Sequence, residues 1–271
     1  MNHFWRLYEM GQRGEHGIWS HTAPSWESPF VSASFLEVQR ELLSQRAFRV
    51  EYGAEFLDTA GRVFRTECLE RCVIPRLPDG LSAPYHIGVD WARYQDYTAV
   101  CVLCGSRESA FLVDSLRIHA VSWSEQVERV AEFIERYDSS HVVCDATGVG
   151  DPVIEMLQTR LRNASIEGLV FTQRIKSELI HGLAWLVERG AVLMEPFPEL
   201  MKEMQHFEAA PGKKGSKLGA RTGYHDDLVV ALALAAHTLP RRPSKGLALG
   251  QTRRFAHRHA RTALWKFGEL K

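Results

Sequence analysis

Residues 228–236, LVVALALAA, hold no polar side chain and follow directly on Asp226 and Asp227. A helix that is apolar on every side has to be buried. The two acids in GYHDDLVVALALA (223–235) therefore stand where a hydrophobic core begins, and charges in that position need a partner. A chain of 271 residues, 45% apolar and with a formal net charge of zero, is long enough to bury one sizeable core around such a helix. No stretch approaches the roughly 20 apolar residues of a membrane span. The start, MNHFWRLYEMGQRGEHG, carries no apolar signal core, so a soluble, cytoplasmic globular protein is expected.

Five cysteines (Cys68, Cys72, Cys101, Cys104, Cys144) follow no disulfide-framework spacing, which suits a reducing compartment. Cys101 and Cys104 have the spacing of a zinc knuckle. They lie inside the strand-like TAVCVLCG, however, where residues three apart face opposite ways, and zinc is not expected.

Neutral overall charge hides an uneven distribution. Residues 241–271 hold nine Lys or Arg against one acid, Glu269. Lys213, Lys214, Lys217 and Arg221 lie in the glycine-rich APGKKGSKLGARTG with no acid nearby. Basic clusters of this kind meet phosphate backbones. For 241–271 a solvated tail is an equal alternative, whereas the place of 212–221 just ahead of the paired acids favours function.

Hydrophobic periodicity organises the rest. SFLEVQRELLSQRAFRVEYGAEF (34–56) has the spacing of one amphipathic helix, and CVIPRLPDGLSAP (72–84) reads as a proline-rich linker. YHIGVDWA, TAVCVLCG and AFLVDSLRIH read as strands joined by short turns, as antiparallel neighbours are. Helical and strand-like segments then alternate. They are WSEQVERVAEFIERY, HVVCD, DPVIEMLQTRLRN with Asp151 as its cap and Pro152 at the first helical position, IEGLVFT, a helix over 176–189, AVLME, PELMKEMQHF and the final helix from 226. An antiparallel three-strand start followed by this alternation predicts an α/β fold, a mixed sheet with flanking helices.

Asp90 falls near the end of one buried strand and Asp145 ends another, and ligands of open α/β sheets gather beyond such ends. If Asp226 and Asp227 reach the same edge, four carboxylates converge with no Lys or Arg next to any of them in sequence. Like charges held so close repel unless divalent cations neutralise them, and an oxygen-only donor set suits Mg²⁺ or Mn²⁺. Plainer explanations stay open. Asp226 alone is better explained as a helix cap, although one residue suffices to cap and two stand here. Capping a turn in DATGVGDP is the corresponding alternative for Asp145, and GVG in that stretch lacks the full pattern of a nucleotide-binding loop. Asp90 is the hardest to explain without a charged partner. His225 is expected to hydrogen-bond the acids rather than bind metal, and Asp114 to occupy an exposed strand face.

In this order and spacing, IGVDWARYQDYTAV, VVCDATGVGDPVIEML and GYHDDLVVALALA resemble the three acidic motifs of the nuclease domain of the large terminase subunit of tailed bacteriophages. That domain is ribonuclease H-like, similar also to Holliday-junction resolvases. The resemblance covers about residues 50–240. NHFWRLYEMGQRG, SWESPF and FRVEYGAEFLDTAGRVF resemble the region where the terminase ATPase ends and the linker to the nuclease begins. It implies a remnant of that region over 1–72, a ribonuclease H-like nuclease domain over 73–240 and a basic C-terminal tail over 241–271. No GxxxxGK[ST] loop occurs, so the motor core is missing and a nuclease fragment or a separately encoded nuclease half is expected.

Carried over position by position, the resemblance assigns Asp90 to the first family aspartate and Asp145 to the second acidic position, both as metal ligands. Asp227 with Asp226 matches the paired acids of the last helix, with Asp227 preferred because a lone cap would be Asp226. Asp96 matches a further acid of some relatives, as an auxiliary ligand or a group behind the ligands. Lys176 resembles a lysine that contacts phosphate, and the stretch with Lys213, Lys214, Lys217 and Arg221 resembles a hairpin that guides DNA. The implied activity is endonucleolytic cleavage of double-stranded DNA during genome packaging, with two Mg²⁺ or Mn²⁺ ions and products bearing 5′-phosphates and 3′-hydroxyls. Sequence specificity is expected to be low. Implied partners are DNA, the portal protein, the small terminase subunit and a separate ATPase half, in the cytoplasm of a bacterial host. A cellular ribonuclease H or junction resolvase, and a non-catalytic module docking on portal or partner subunits, are the alternatives.

Overall fold

The structure is a computed structural model in which residues 3–43, 45–56, 61–92, 96–137, 141–147, 150–162, 164–212 and 215–241 are described. The chain opens with α1 (His3–Gln12), α2 (Ala33–Leu42), α3 (Gln45–Glu51), the short strand β1 (Gly61–Arg62) and α4 (Thr66–Cys72). Residues 34–56 thus form two helices rather than the single one their spacing predicted. Ser32 caps α2 by accepting the Phe35 amide at 3.2 Å, and the backbone turns extended at Leu43. Partners from elsewhere fix the break. The Gln45 amide donates to Glu188 Oε2 at 2.8 Å and the Glu41 carbonyl accepts Trp185 Nε1 at 2.7 Å, so distant groups take backbone bonds that a continuous helix would make internally.

Three strands, β2 (Tyr85–Asp90), β3 (Thr98–Ser106) and β4 (Ser109–Ile118), form the expected antiparallel meander. After α5 (Trp123–Ile134), β5 (His141–Asp145) returns parallel to β2. After α6 (Gly150–Arg160), β6 (Ser165–Leu169) runs parallel to β5. Helix α7 (Gln173–Glu188) leads to β7 (Val192–Leu193), parallel to β4, and the strand order is β6-β5-β2-β3-β4-β7. Helix α8 (Pro198–Gln205), the hairpin β8 (Phe207–Gly212) and β9 (Gly215–Ala220), and α9 (Asp227–His237) follow, with β1 pairing on β8. This is the mixed α/β sheet with flanking helices that the segment pattern predicted.

Several local expectations shift. Helix α6 begins at Gly150, which puts Asp151 inside the helix rather than at its cap. Helix α7 begins at Gln173, ahead of the expected 176, because Thr172 caps it by accepting the Ile175 amide at 3.1 Å. Asp114, expected on an exposed face, is half-buried and accepts Tyr137 Oη at 2.5 Å. Burial, then the Asp114 carboxylate, pushes the Tyr137 hydroxyl up.

Alternation along the strands divides the core. Ile87, Val89, Val100, Val102 and Val142 pack with α5 and α6, while Ala99, Cys101, Leu103 and Val143 pack with α4, α7 and α9. Packing runs across residue 72, since Phe64, Leu69 and Cys72 share the cluster that contains α9. Cys101 Sγ donates to Leu228 O at 3.6 Å and Cys104 Sγ to Ser82 O at 3.0 Å, and burial pushes both thiols up. Residues 228–236 of α9 are all buried, as an all-apolar helix requires. A side-chain carbon on Gly88 would fall 2.0 Å from Ala231 O and 2.5 Å from Ala235 N, so glycine in the middle of β2 is what lets α9 lie directly on the sheet. Lys213, Lys214 and residues 242–271 of the basic tail lie outside the described residues. Among the described residues no helix is long and apolar enough to cross a membrane.

Candidate metal centre

The close contact at Gly88 sets the geometry of one sheet edge. Asp90 lies two residues beyond Gly88, and Asp227 lies about one helical turn before Ala231, so the end of β2 and the start of α9 arrive together. Val89 of β2 pairs with Cys144 of the parallel β5, which leaves Asp90 and Asp145 side by side at the two strand ends. A cleft of about 160 Å³ at this edge is lined by Asp90, Asp96, Asp145, Lys176, Asp226 and Asp227, with Trp91 and Phe171 as apolar walls. The acids expected at the site are all brought together there.

Their environments differ. Burial, followed by the charges of Asp145, Asp227 and Asp226, pushes the Asp90 carboxyl well above its ordinary value, and Lys176 pulls it partly back. Asp90 has no ion pair or side-chain hydrogen bond among the described residues. Asp145 is held by its turn, with Oδ1 accepting the Thr147 amide at 2.7 Å, and Thr147 Oγ1 in turn accepts the Phe171 amide at 2.7 Å. Asp227 is 5% exposed. Burial pushes its carboxyl up to about 6, against the pull of the Tyr97 amide and with a further push from Asp96 and Asp226. That amide donates to Asp227 Oδ2 at 3.2 Å, and Arg117 Nη2 and His225 Nδ1 each lie 3.7 Å from the same oxygen.

Two local expectations are corrected here. Asp226 occupies the cap position of α9, but its side chain makes no cap bond and instead pairs with Lys176 Nζ at 3.3 Å. The first amides of α9, those of Leu228 and Val229, are taken by Glu203 Oε2 at 2.9 and 3.4 Å, so a carboxylate from α8 does the capping. The acids also do not wait wholly for metal ions to balance them. Lys176 reaches Asp226 and Arg117 reaches Asp227, both delivered by other elements of the fold and invisible in the neighbouring sequence.

His225 Nδ1 lies 3.2 Å from Asp96 Oδ1, so its hydrogen bond goes to Asp96 rather than to the paired acids beside it, with Asp227 Oδ2 at 3.7 Å. Asp96, His225 and Asp227 also offer ligand atoms within 4.8 Å of one another. Lys217 and Arg221 are exposed on or just after β9. A side-chain carbon on Gly219 of that strand would lie 3.5 Å from Asp226 Oδ2, which places the hairpin against the acids.

Arg117, Glu203 and Tyr97 were missed in the sequence. The signal for Glu203 was there: with Leu200 and Met204 it forms the buried stripe of α8, and an acid in an apolar stripe needs a partner. Nothing in FLVDSLRIH marks Arg117. The donor set is mainly carboxylate oxygen, with Asp90 in no ion pair among the described residues, and it fits a hard divalent ion such as Mg²⁺ or Mn²⁺.

The family model of the terminase RNaseH-like domain matches residues 87–239, from β2 through α9. The chain is 31% identical over 262 residues to a terminase large subunit of Thermus virus P23-45, covering 87% of this chain and 53% of the relative. It thus spans about half the length of the curated relatives it matches. The crystal structure of the large terminase nuclease from thermophilic phage G20c has a TM-score of 0.55 at 27% identity, covering 66% of this chain and 98% of that one. The same nuclease with bound magnesium gives 0.56 at 28% identity, covering 65% and 96%. A mixed sheet in this strand order, acids at the ends of β2 and β5 and at the head of α9, and the match across all of them lead to one conclusion: the chain belongs to the terminase RNaseH-like domain family.

Proposed function

We propose that the chain is a metal-dependent endonuclease that cleaves double-stranded DNA during phage genome packaging. The observation that carries this is the convergence of Asp90, Asp145 and Asp227 on one cleft in which Asp90 is buried with no ion-pair partner among the described residues and feels the charge of three neighbouring acids against one lysine. The relative from phage G20c binds magnesium, and the donors here suit the same class of ion, Mg²⁺ or Mn²⁺, as a pair. Asp90, Asp145 and Asp227 would hold the ions, with Asp226 and Asp96 as auxiliary ligands. Bound there, two divalent ions supply an activated water on one side of the phosphate and stabilisation of the leaving oxygen on the other.

The remaining work falls to the chain itself. Lys176, partly exposed at the cleft and balanced by Asp226, contacts a phosphate of the strand to be cut. Lys217 and Arg221, with Lys213 and Lys214 in the same basic stretch, grip the backbone without reading bases, so cutting has little sequence preference. Trp91 and Phe171 keep the acid cleft narrow on its apolar side. No side chain acts as a covalent nucleophile. Packaging requires an ATPase motor, and we take an ATPase part, the small terminase subunit and the portal protein as its partners, in the cytoplasm of a bacterial host.

The test is relaxation of supercoiled plasmid with Mg²⁺ or Mn²⁺. Asp90→Asn is expected to abolish cutting while duplex binding, followed by gel shift, persists; unchanged cutting would refute the assignment. Cleavage confined to the RNA strand of a hybrid, or to four-way junctions, would replace DNA packaging with the corresponding cellular activity.

A further inference from the structure

Glu203 lies outside the cleft lining, yet it is 4% exposed and its contacts lead to Asp227. Its Oε2 takes the amides of the two residues that follow Asp227, at 2.9 and 3.4 Å. Its Oε1 lies 3.0 Å from Arg117 Nη2, the nitrogen that lies 3.7 Å from Asp227 Oδ2. Arg117 is held in turn, its guanidinium carbon 3.7 Å from the centre of the Tyr97 ring, and the Tyr97 amide donates to Asp227 Oδ2 at 3.2 Å. Asp227 is therefore restrained through its backbone by Glu203 and through its side chain by Tyr97 and Arg117. Those side-chain contacts fall on Oδ2, which leaves Oδ1 without a partner among the described residues.

Capping alone does not account for this arrangement. Glu203 Oε2 does cap α9 in place of Asp226, which is turned to Lys176, but capping gives no reason for Oε1 to hold the arginine beside Asp227, and a buried ion pair is by itself a weak source of stability. A metal-ligating carboxylate, by contrast, depends on outer partners for its aim. We propose that Glu203, backed by Arg117, is a positioning residue that directs the free oxygen of Asp227 into the cleft, a role that presupposes the metal centre proposed above.

The test is Mn²⁺ binding to the whole chain without DNA, measured by calorimetry and by the paramagnetic resonance of free Mn²⁺. Glu203→Gln keeps an oxygen for both amides but turns its NH2 to Arg117, so its Kd is expected to lie between that of wild type and that of Glu203→Ala, which raises it about tenfold or more. Melting in EDTA reports folding separately. A merely structural role would lower the Tm of Glu203→Ala and leave its Kd at the wild-type value, which overturns the proposal, as would a Glu203→Gln variant that binds as poorly as the alanine variant. If Glu203→Ala does not fold, Arg117→Met, which leaves Glu203 on the amides, serves in its place; an unchanged Kd there overturns the part given to Arg117. Wild-type protein that binds no Mn²⁺ would remove the metal centre and this role together, an outcome distinct from binding that the variants do not alter.

Discussion

Asp227→Asn is expected to make the metal-free protein more stable at neutral pH. Asp227 is 5% exposed, and burial raises its carboxyl from an ordinary 3.8 to about 6 in the fold. Between those two values the folded chain holds the proton more tightly than the unfolded chain does. The contribution to stability is therefore complete below about pH 3.8 and is lost as pH rises through about 6. The whole excursion amounts to about 3 kcal/mol, roughly two thirds of it above pH 4.5. Asparagine keeps an oxygen for the Tyr97 amide and cannot ionise, so the variant escapes this loss. Glu203 acts in the same direction, because burial pushes it up to about 7 and the Asp227 charge contributes to that rise. Urea unfolding in EDTA at pH 4.5 and 7.5 measures the effect, with wild type falling more steeply by about 2 kcal/mol. Mn²⁺ at a hundred times its Kd should then restore about 2.7 kcal/mol to wild type and much less to the variant. Parallel pH dependence in the two proteins would refute the electrostatic account of this residue.

Gly88→Ala places a methyl group where the backbone of α9 already lies, and a loss of about 3 kcal/mol is expected in urea unfolding, together with weaker Mn²⁺ binding as α9 leaves β2. A loss below about 1 kcal/mol would show that the helix can shift freely. Lys217→Ala or Arg221→Ala should weaken binding to all duplex sequences alike and reduce the slope of log affinity against log salt by about one. A residue whose removal leaves that slope unchanged does not touch the DNA backbone.

Much of the fold was legible because its signals are local. Short apolar runs bounded by turns mark β2, β3 and β4, the longer unbroken apolar run marks α9, and an acid that closes an apolar strand has to stand at a sheet edge, which places Asp90 and Asp145. Asp226 and Asp227 were equally visible, as charges at the mouth of a core. Local pattern misled where a distant group takes over a backbone bond. Glu188 and Trp185 interrupt the helix expected over 34–56, and Glu203 displaces Asp226 as the cap of α9.

The residue types and their periodicity were enough to name the acids and most elements of the central sheet and its helices, though not α4 or the β8–β9 hairpin, because a side chain's preference for a pleat, a helix face or a strand end acts over a few neighbours. Which cation balances which acid was settled by packing. Arg117 of β4 reaches Asp227, and Lys176 meets Asp226 across 50 residues, contacts that need α9 lying directly on the sheet at Gly88. Charge pairing depends on distance in space, and spacing along the chain carries almost no record of it.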